Sequence, residues 1–212
     1  MVYVCSGDIT EFHACEFGLE PLAWPGHRRW TPSHAYVLAT RALQSLPQRM
    51  AHSLLAGVQA QRVRATVPAA DGDLLVSASL LHDIGYSPAL VKRGFHPIDG
   101  ANFLVDLGAP MRLAALVAHH SEVRFLAAAN GLLPELSKFP REEGPVADAL
   151  AYADMTAGPD GAPMTVQDRL DDIAARHAHE DPALLATRLA RVPYLLAATE
   201  RVQLRVSLSA LA

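Results

Sequence analysis

The segment Leu81-His82-Asp83-Ile84-Gly85 places an imidazole next to a carboxylate. Divalent transition metals bind imidazole nitrogen and carboxylate oxygen readily, and a carboxylate can bridge two ions. A His-Asp pair alone is common. Here, however, five further candidate ligands accompany it along the chain: His52, His96, His119, His120 and Asp154. We therefore predict that these residues form a metal centre holding one or two ions.

Two ion positions that share Asp83 account for all of these residues. The first ion would be held by His52, His82, Asp83 and Asp154. The second would be held by Asp83, His96 and one of the adjacent His119 and His120. Because successive helical residues point about 100° apart, only one histidine of that last pair should face the centre. We expect Fe, Mn, Co, Ni or Zn as the metal.

Metal ions in such a centre would support hydrolysis. They lower the pKa of bound water towards about 7 and polarise a phosphoryl oxygen, and two-metal hydrolytic sites hold their ions about 3.5–4 Å apart. His82 and Asp83 are therefore the candidate catalytic residues. Three cations near them in sequence, Lys92, Arg93 and Arg124, are candidates for binding substrate phosphate.

The elements that must position these residues are predicted to be helices. Half of the residues are hydrophobic but only 6% are aromatic, so alanine and leucine supply most of the core. That composition favours helix over sheet, and no segment alternates as a strand would. We predict an all-α bundle, with residues 1–30 as an irregular N-terminal arm and 31–212 as a single helical domain.

Local signals predict where several helices begin and end. Thr31 caps a helix that starts with Pro32, Thr165 caps another, and Asp181-Pro182 opens a last helix that is kinked at Pro193. Gly85 is expected to end the helix that carries His82.

The helix that starts at Pro47 is expected to reach about Thr66. Its apolar residues Ala51, Leu54, Leu55 and Val58 should face the core. His52 would then lie at the edge of that face.

Charge and composition narrow the partners and the location. The net charge of −4 provides no basic field for nucleic acid, so no DNA binding is expected. Cys5 and Cys15 suit free thiols in a reducing compartment. The sequence shows neither a signal peptide nor the roughly 20 apolar residues that a membrane span requires. A cytoplasmic protein is the expectation, and a homodimer is left open.

Together these motifs resemble the HD superfamily of metal-dependent phosphohydrolases over about residues 33–160. His52, the His82-Asp83 pair and Asp154 match the core ligands of that family in type and order. His96 and the His119-His120 pair look like the additional ligands of its binuclear members. The resemblance implies an HD-domain helical bundle that hydrolyses a small phosphorylated substrate, with a nucleotide as one candidate, through metal-bound hydroxide.

The sequence departs from the family pattern at three places, which bear on the number of metals and on the substrate. Tyr86 stands where binuclear hydrolases often have lysine, and Gln48 replaces a glutamate associated with a third metal. Ser121-Glu122-Val123 does not provide the Gly-Tyr-Pro motif of the cyclic-di-nucleotide branch. Two alternatives stay open: a di-iron HD-type oxygenase and a non-catalytic metal- or ligand-binding signalling module.

Overall fold

A computed structural model describes residues 30–209 of the protein. Apart from Trp30, the predicted N-terminal arm lies outside the described residues. Within this range the chain forms helices and no β-strand. The β-pairing there is one isolated antiparallel bridge between Ala157 and Pro163. The prediction of an all-α protein is confirmed. No helix in residues 30–209 combines the length and the apolar character needed to cross a membrane.

The helices of the described residues are α1 (Pro32–Ala42), α2 (Pro47–Arg62), α3 (Gly72–Leu81), α4 (His96–Asp106), α5 (Met111–His119), α6 (Arg124–Ala129), α7 (Leu133–Leu136), α8 (Pro145–Met155), α9 (Val166–Arg176), α10 (Pro182–Leu189) and α11 (Val192–Ser209). Short 3₁₀ turns cover Arg64–Thr66, Ala69–Asp71, Ile84–Tyr86, Pro88–Leu90 and His120–Glu122.

The main hydrophobic core is built chiefly from leucine and alanine, as the composition predicts. Its fully buried leucines include Leu38 of α1, Leu75 and Leu81 of α3, Leu104 of α4 and Leu113 of α5. Burying one such side chain contributes roughly 1.5–3 kcal/mol. A smaller cluster joins α8, α9 and α11: Ala151, Met155, Leu170, Leu195 and Ala198. The metal-ligand candidates therefore rest on a closely packed scaffold.

The inward face of α2 differs from the predicted one. Val58 is 49% exposed, whereas His52 is only 1% exposed and lies within the buried face. Gly57 permits this orientation, since a Cβ there would lie 2.5 Å from a methyl carbon of Leu80. Small residues thus let α2 approach α3 closely, and His52 is directed into the interior rather than to the edge of an apolar stripe.

Gly85 does not cap a helix. Helix α3 ends at Leu81, and Gly85 lies in the following 3₁₀ turn without a positive φ. A Cβ at Gly85 would lie 2.0 Å from the carbonyl oxygen of His96. The absence of a side chain therefore lets the turn after α3 pack directly against the start of α4.

The C-terminal helices begin as predicted but divide differently. Thr165 accepts a hydrogen bond from the amide of Asp168, and Asp181 accepts one from the amide of Ala183. Instead of one kinked helix, the chain forms α10 and α11, with a break before Val192. Pro193 lies in the first turn of α11, where its missing N–H leaves no helical hydrogen bond unmade.

Candidate metal centre

Five separate segments bring six of the predicted ligands together. His52 lies on α2, His82 and Asp83 follow α3, His96 begins α4, and His120 follows α5. Asp154 lies in the last turn of α8. All except His96 are buried, and the His96 side chain is about one-fifth exposed. The helices therefore converge on one group of imidazoles and carboxylates.

The first half of the centre contains His52, His82, Asp83 and Asp154. The Nε2 atoms of His52 and His82 are 3.1 Å apart. Oδ1 of Asp154 lies 3.1 Å from the His52 Nε2 and 3.8 Å from the His82 Nε2. Oδ2 of Asp83 lies 3.5 Å from the His82 Nε2. The ligand atoms of His52, His82 and Asp83 are close enough together to share one ion, and Asp154 adds a carboxylate oxygen beside both imidazole nitrogens.

The other oxygen of Asp83 faces the second half of the centre. Oδ1 of Asp83 lies 3.3 Å from Nε2 of His96 and 3.8 Å from Nε2 of His120. Those two nitrogens are 3.3 Å apart. Asp83 thus presents one oxygen to each pair of imidazoles, which is the arrangement a bridging carboxylate requires.

The hydrogen bonds of the rings determine which nitrogens are free to bind metal. Nδ1 of His52 donates to the carbonyl of Ala157, and Nδ1 of His82 donates to the carbonyl of Ser79. A carbonyl only accepts, so in the neutral rings the proton is on Nδ1 and the lone pair is on Nε2. Nδ1 of His120 likewise donates to the Val117 carbonyl. These backbone bonds orient the rings as they do in metal sites.

The donor set therefore fits a metal ion. In the neutral tautomers, the lone pairs of His52 and His82 face each other at 3.1 Å with no hydrogen between them. Such a contact is repulsive unless a cation or proton lies between the nitrogens. Imidazole together with carboxylate suits Fe, Mn, Co, Ni and Zn better than Mg or Ca.

The electrostatics also favour positive charge in the centre. Burial by itself would raise the pKa of Asp83, but His82, His96 and Arg49 hold that pKa far below its usual range. Burial would lower the pKa of His52, yet the bond to Asp154 raises it. Both carboxylates stay ionised, since the pKa of Asp154 is also lowered, despite burial, by its bond to His52.

The imidazoles of His96 and His120 stay neutral. Burial lowers the pKa of His96 and of His120. A neutral imidazole has the lone pair that a metal ligand requires.

A strained turn decides which of the two adjacent histidines enters the centre. Ser121 and Glu122 have φ values of 51° and 56°, which is uncommon for residues other than glycine. This turn directs the His120 ring to the centre, and the Ser121 hydroxyl donates to Asp154. His119 ends α5 and its Nε2 donates to the carbonyl of Phe139 at 2.8 Å. The structure therefore does not bring His119 into the cluster.

The cations proposed to bind phosphate lie elsewhere. The side chain of Lys92 approaches Asp106 at 3.5 Å, and that of Arg93 pairs with Glu135 at 3.0 Å. The Arg93 amide donates to Asp99, which fixes this loop away from the centre.

Arg124 does not line the cleft that contains Asp83, although the cavity that it does line also includes His120. It bonds to Glu122 at 2.7 Å and lies over the Tyr194 ring, in a second cavity of about 470 Å³. Local ion pairs thus occupy all three side chains.

A cleft of about 100 Å³ opens onto the centre and is lined by other arginines. They are Arg49, Arg169, Arg176, Arg188 and Arg191. Arg49 donates to Oδ2 of Asp83 at 2.7 Å and covers the ring of Tyr86, which stacks on His96 at 3.9 Å. The sequence contained one signal for Arg49, because it precedes His52 by three positions and so shares its helix face.

The HD domain family model matches residues 49–174, more than half of the chain. The chain belongs to the HD domain family. Members of this family are generally metal-dependent phosphohydrolases, and the matched region contains the whole His/Asp centre. The prediction of an HD-domain helical bundle is confirmed. Searches of curated proteins and of solved structures found no match.

Proposed function

We propose that this HD domain protein is a metal-dependent phosphohydrolase that cleaves a phosphoester or a phosphoanhydride. The observation that carries the proposal is the position of Asp83, whose two oxygens face two pairs of imidazole nitrogens at the base of an arginine-lined cleft. The imidazole–carboxylate set suits one or two divalent transition metals. The arginines suit a substrate that carries negative charge.

Bound divalent ions would supply an activated water and polarise the phosphoryl oxygen. The protein groups around them would orient the reaction. Arg49 presents a guanidinium beside Asp83, and guanidinium groups match phosphate oxygens well. Burial, together with the charge of Asp83, raises the pKa of Tyr86 to about 12, so its hydroxyl keeps its proton at neutral pH. Tyr86 can therefore donate a hydrogen bond to a phosphoryl oxygen in the cleft.

The dimensions of the cleft favour a small reacting group. Its volume of about 100 Å³ is well below the roughly 300–1,000 Å³ of pockets that enclose a drug-sized ligand. A phosphoryl group fits at the centre, while the rest of a nucleotide or another phosphorylated compound would lie outside this cleft, beside which a cavity of about 470 Å³ shares His120 and Ser121. This proposed substrate class agrees with the overall charge of −4, which gives no general attraction for DNA.

The test compares Asp83→Asn with Asp171→Asn, a carboxylate on the exposed face of α9. Each protein is loaded with Mn²⁺, Co²⁺, Ni²⁺, Fe²⁺ or Zn²⁺, and phosphate release is measured with p-nitrophenyl phosphate and nucleotides. Circular dichroism checks the fold and elemental analysis counts the ions. Asp83→Asn should remain helical, bind fewer ions and lose activity by at least the roughly 10–100-fold typical of altered metal sites.

Equal phosphate release by wild type and Asp83→Asn would refute the proposal. Two other outcomes would replace it. Iron-dependent O₂ consumption without phosphate release would indicate the oxygenase alternative. Ligand-induced thermal stabilisation without any turnover would indicate a non-catalytic binding module.

A further inference from the structure

Two buried arginines lie beside the metal centre without complete partners. Arg169 and Arg191 are 5% and 9% exposed, and both line the cleft that contains Asp83 and Asp154. A guanidinium removed from water normally has its charge and its donors matched by neighbouring groups. The partners of these two arginines therefore indicate what the cleft is built to accept.

The donors of Arg169 are only partly used. Its Nη1 donates to Asp172 at 3.1 Å, and its Nη2 lies 3.8 Å from Oδ1 of Asp154. Its Nε is buried and has no hydrogen-bond partner among the described residues. A buried donor without an acceptor is uncommon in folded proteins, and a bound water or ion that completes the site is one explanation for it. Arg169 thus lines the cleft with one hydrogen-bond donor that has no acceptor in the described part of the chain.

The guanidinium of Arg191 donates its hydrogen bonds, among the described residues, to neutral backbone carbonyls. Its Nε donates to the carbonyl of Arg188, and its Nη1 donates to the carbonyl of Ser121 at 3.1 Å. Within residues 30–209, no carboxylate lies in ion-pair range of its guanidinium. Burial lowers the pKa of Arg191, but guanidinium groups remain charged in proteins. The positive charge beside Ser121 therefore has no direct ion-pair partner among the described residues, and Asp154 acts on it only from a longer distance.

Arg188 adds a third cation to this side of the cleft. It is paired with Glu180, and it holds Arg191 through its backbone carbonyl. Arg188 and Arg191 both lie beyond residue 174, where the HD family match ends. Helix α10 and the break before α11 thus supply cations to a cleft whose metal-ligand candidates lie within the matched region.

We infer that Arg169, Arg188 and Arg191 form an anion subsite for a second phosphate group of the substrate, next to the phosphoryl group at the metal centre. The inference rests on the proposed phosphohydrolase function and deepens it. A substrate with two adjacent phosphates, such as a nucleoside diphosphate, places one at Asp83 and the other against the arginines. The protein then prefers phosphoanhydrides over simple phosphomonoesters.

The test uses Arg188→Gln and Arg169→Gln, with Arg62→Gln on the exposed surface of α2 as the control. The kcat/KM is measured for a nucleoside diphosphate and for p-nitrophenyl phosphate. Pyrophosphate and inorganic phosphate binding to the metal-loaded protein is measured by calorimetry. In the two subsite variants, diphosphate kcat/KM and pyrophosphate affinity should fall about 10- to 150-fold, mainly through KM. The monoester and inorganic phosphate values should fall by a clearly smaller factor, because these ligands carry no second phosphate to contact the arginines.

Arg188→Gln keeps the test decisive if Arg169→Gln does not fold, because Arg188 is less buried and its ion-pair partner among the described residues is Glu180. Equal losses for the monoester and the diphosphate in the subsite variants would overturn the inference while leaving the phosphohydrolase proposal standing. Arginine-dependent pyrophosphate binding without hydrolysis of any phosphate would support the subsite and contradict the proposed function.

Discussion

The contact between Gly85 and α4 leads to a prediction for Gly85→Ala. The new Cβ would lie 2.0 Å from the carbonyl oxygen of His96 and 2.6 Å from the amide nitrogen of Gly100. Both are backbone atoms, which cannot rotate aside as a side chain can. Because Cβ contacts below 3.0 Å are essentially never seen, α4 would have to move by about 1 Å.

That displacement should lower both stability and metal binding. Forcing an extra methyl group into a packed interior costs about 1–3 kcal/mol. In a domain of this size each kcal/mol lowers the Tm by roughly 2–4 °C, so we expect a decrease of about 2–12 °C. The same shift moves the His96 ring, whose Nε2 is 3.3 Å from Oδ1 of Asp83. Affinity at the second ion position should therefore fall more than at the first.

Thermal unfolding and metal titration followed by elemental analysis would measure these effects. Gly108→Ala is the matched control, because Gly108 has a φ of +76° and nothing within 4 Å of its added Cβ. That variant should show only the roughly 1–2 kcal/mol of left-handed backbone strain and normal metal binding. If Gly85→Ala bound metal as wild type does and were no less stable than Gly108→Ala, the packing argument would be wrong.

Two further substitutions test other parts of the structure. Asp148 is buried and accepts hydrogen bonds from Arg201 and Arg205; burial raises its pKa, but these bonds lower it overall. Its stabilising effect is therefore complete above about pH 4 and is lost as the pH falls through the lowered pKa. Asp148→Asn should lower the free energy of unfolding by roughly 1–3 kcal/mol at pH 7 and weaken the dependence of stability on acid pH. Urea unfolding at several pH values would measure both effects. An unchanged pH profile would contradict the prediction. Tyr86→Ala should weaken metal binding at His96 about tenfold, because it removes the ring that stacks on the imidazole. Tyr86→Phe keeps the ring and should keep the affinity. Equal metal titrations for the two variants would show that Tyr86 does not position His96.

The sequence predicted the helix starts because caps act locally. Thr31, Thr165 and Asp181 each use their own side chain to satisfy amides in the next turn. The apolar stripe on α2 was a poorer guide. Its buried face is set by Gly57 against Leu80, a contact between helices that periodicity within one helix does not contain.

The candidate ligands were also accessible from the sequence, because metal chemistry restricts them to a few residue types in a recognisable order. The cations of the cleft were not. An arginine on a helix usually faces water, and only the packing of α9, α10 and α11 around the centre shows that Arg169 and Arg191 are buried. Lys92 and Arg93 were chosen for their nearness along the chain, and their carboxylate partners hold them elsewhere.

The amino-acid sequence by itself determined the helical class, the HD family and the residues able to hold a metal, since these depend on residue type, order and local spacing. The tertiary structure decided that Asp83 faces two imidazole pairs, that His120 rather than His119 joins them, and which arginines surround the cleft. The physical reason is that these features depend on contacts between segments far apart in the chain and on a left-handed turn at Ser121 and Glu122. Helical periodicity does not predict such contacts, and no glycine in the sequence marks the left-handed turn.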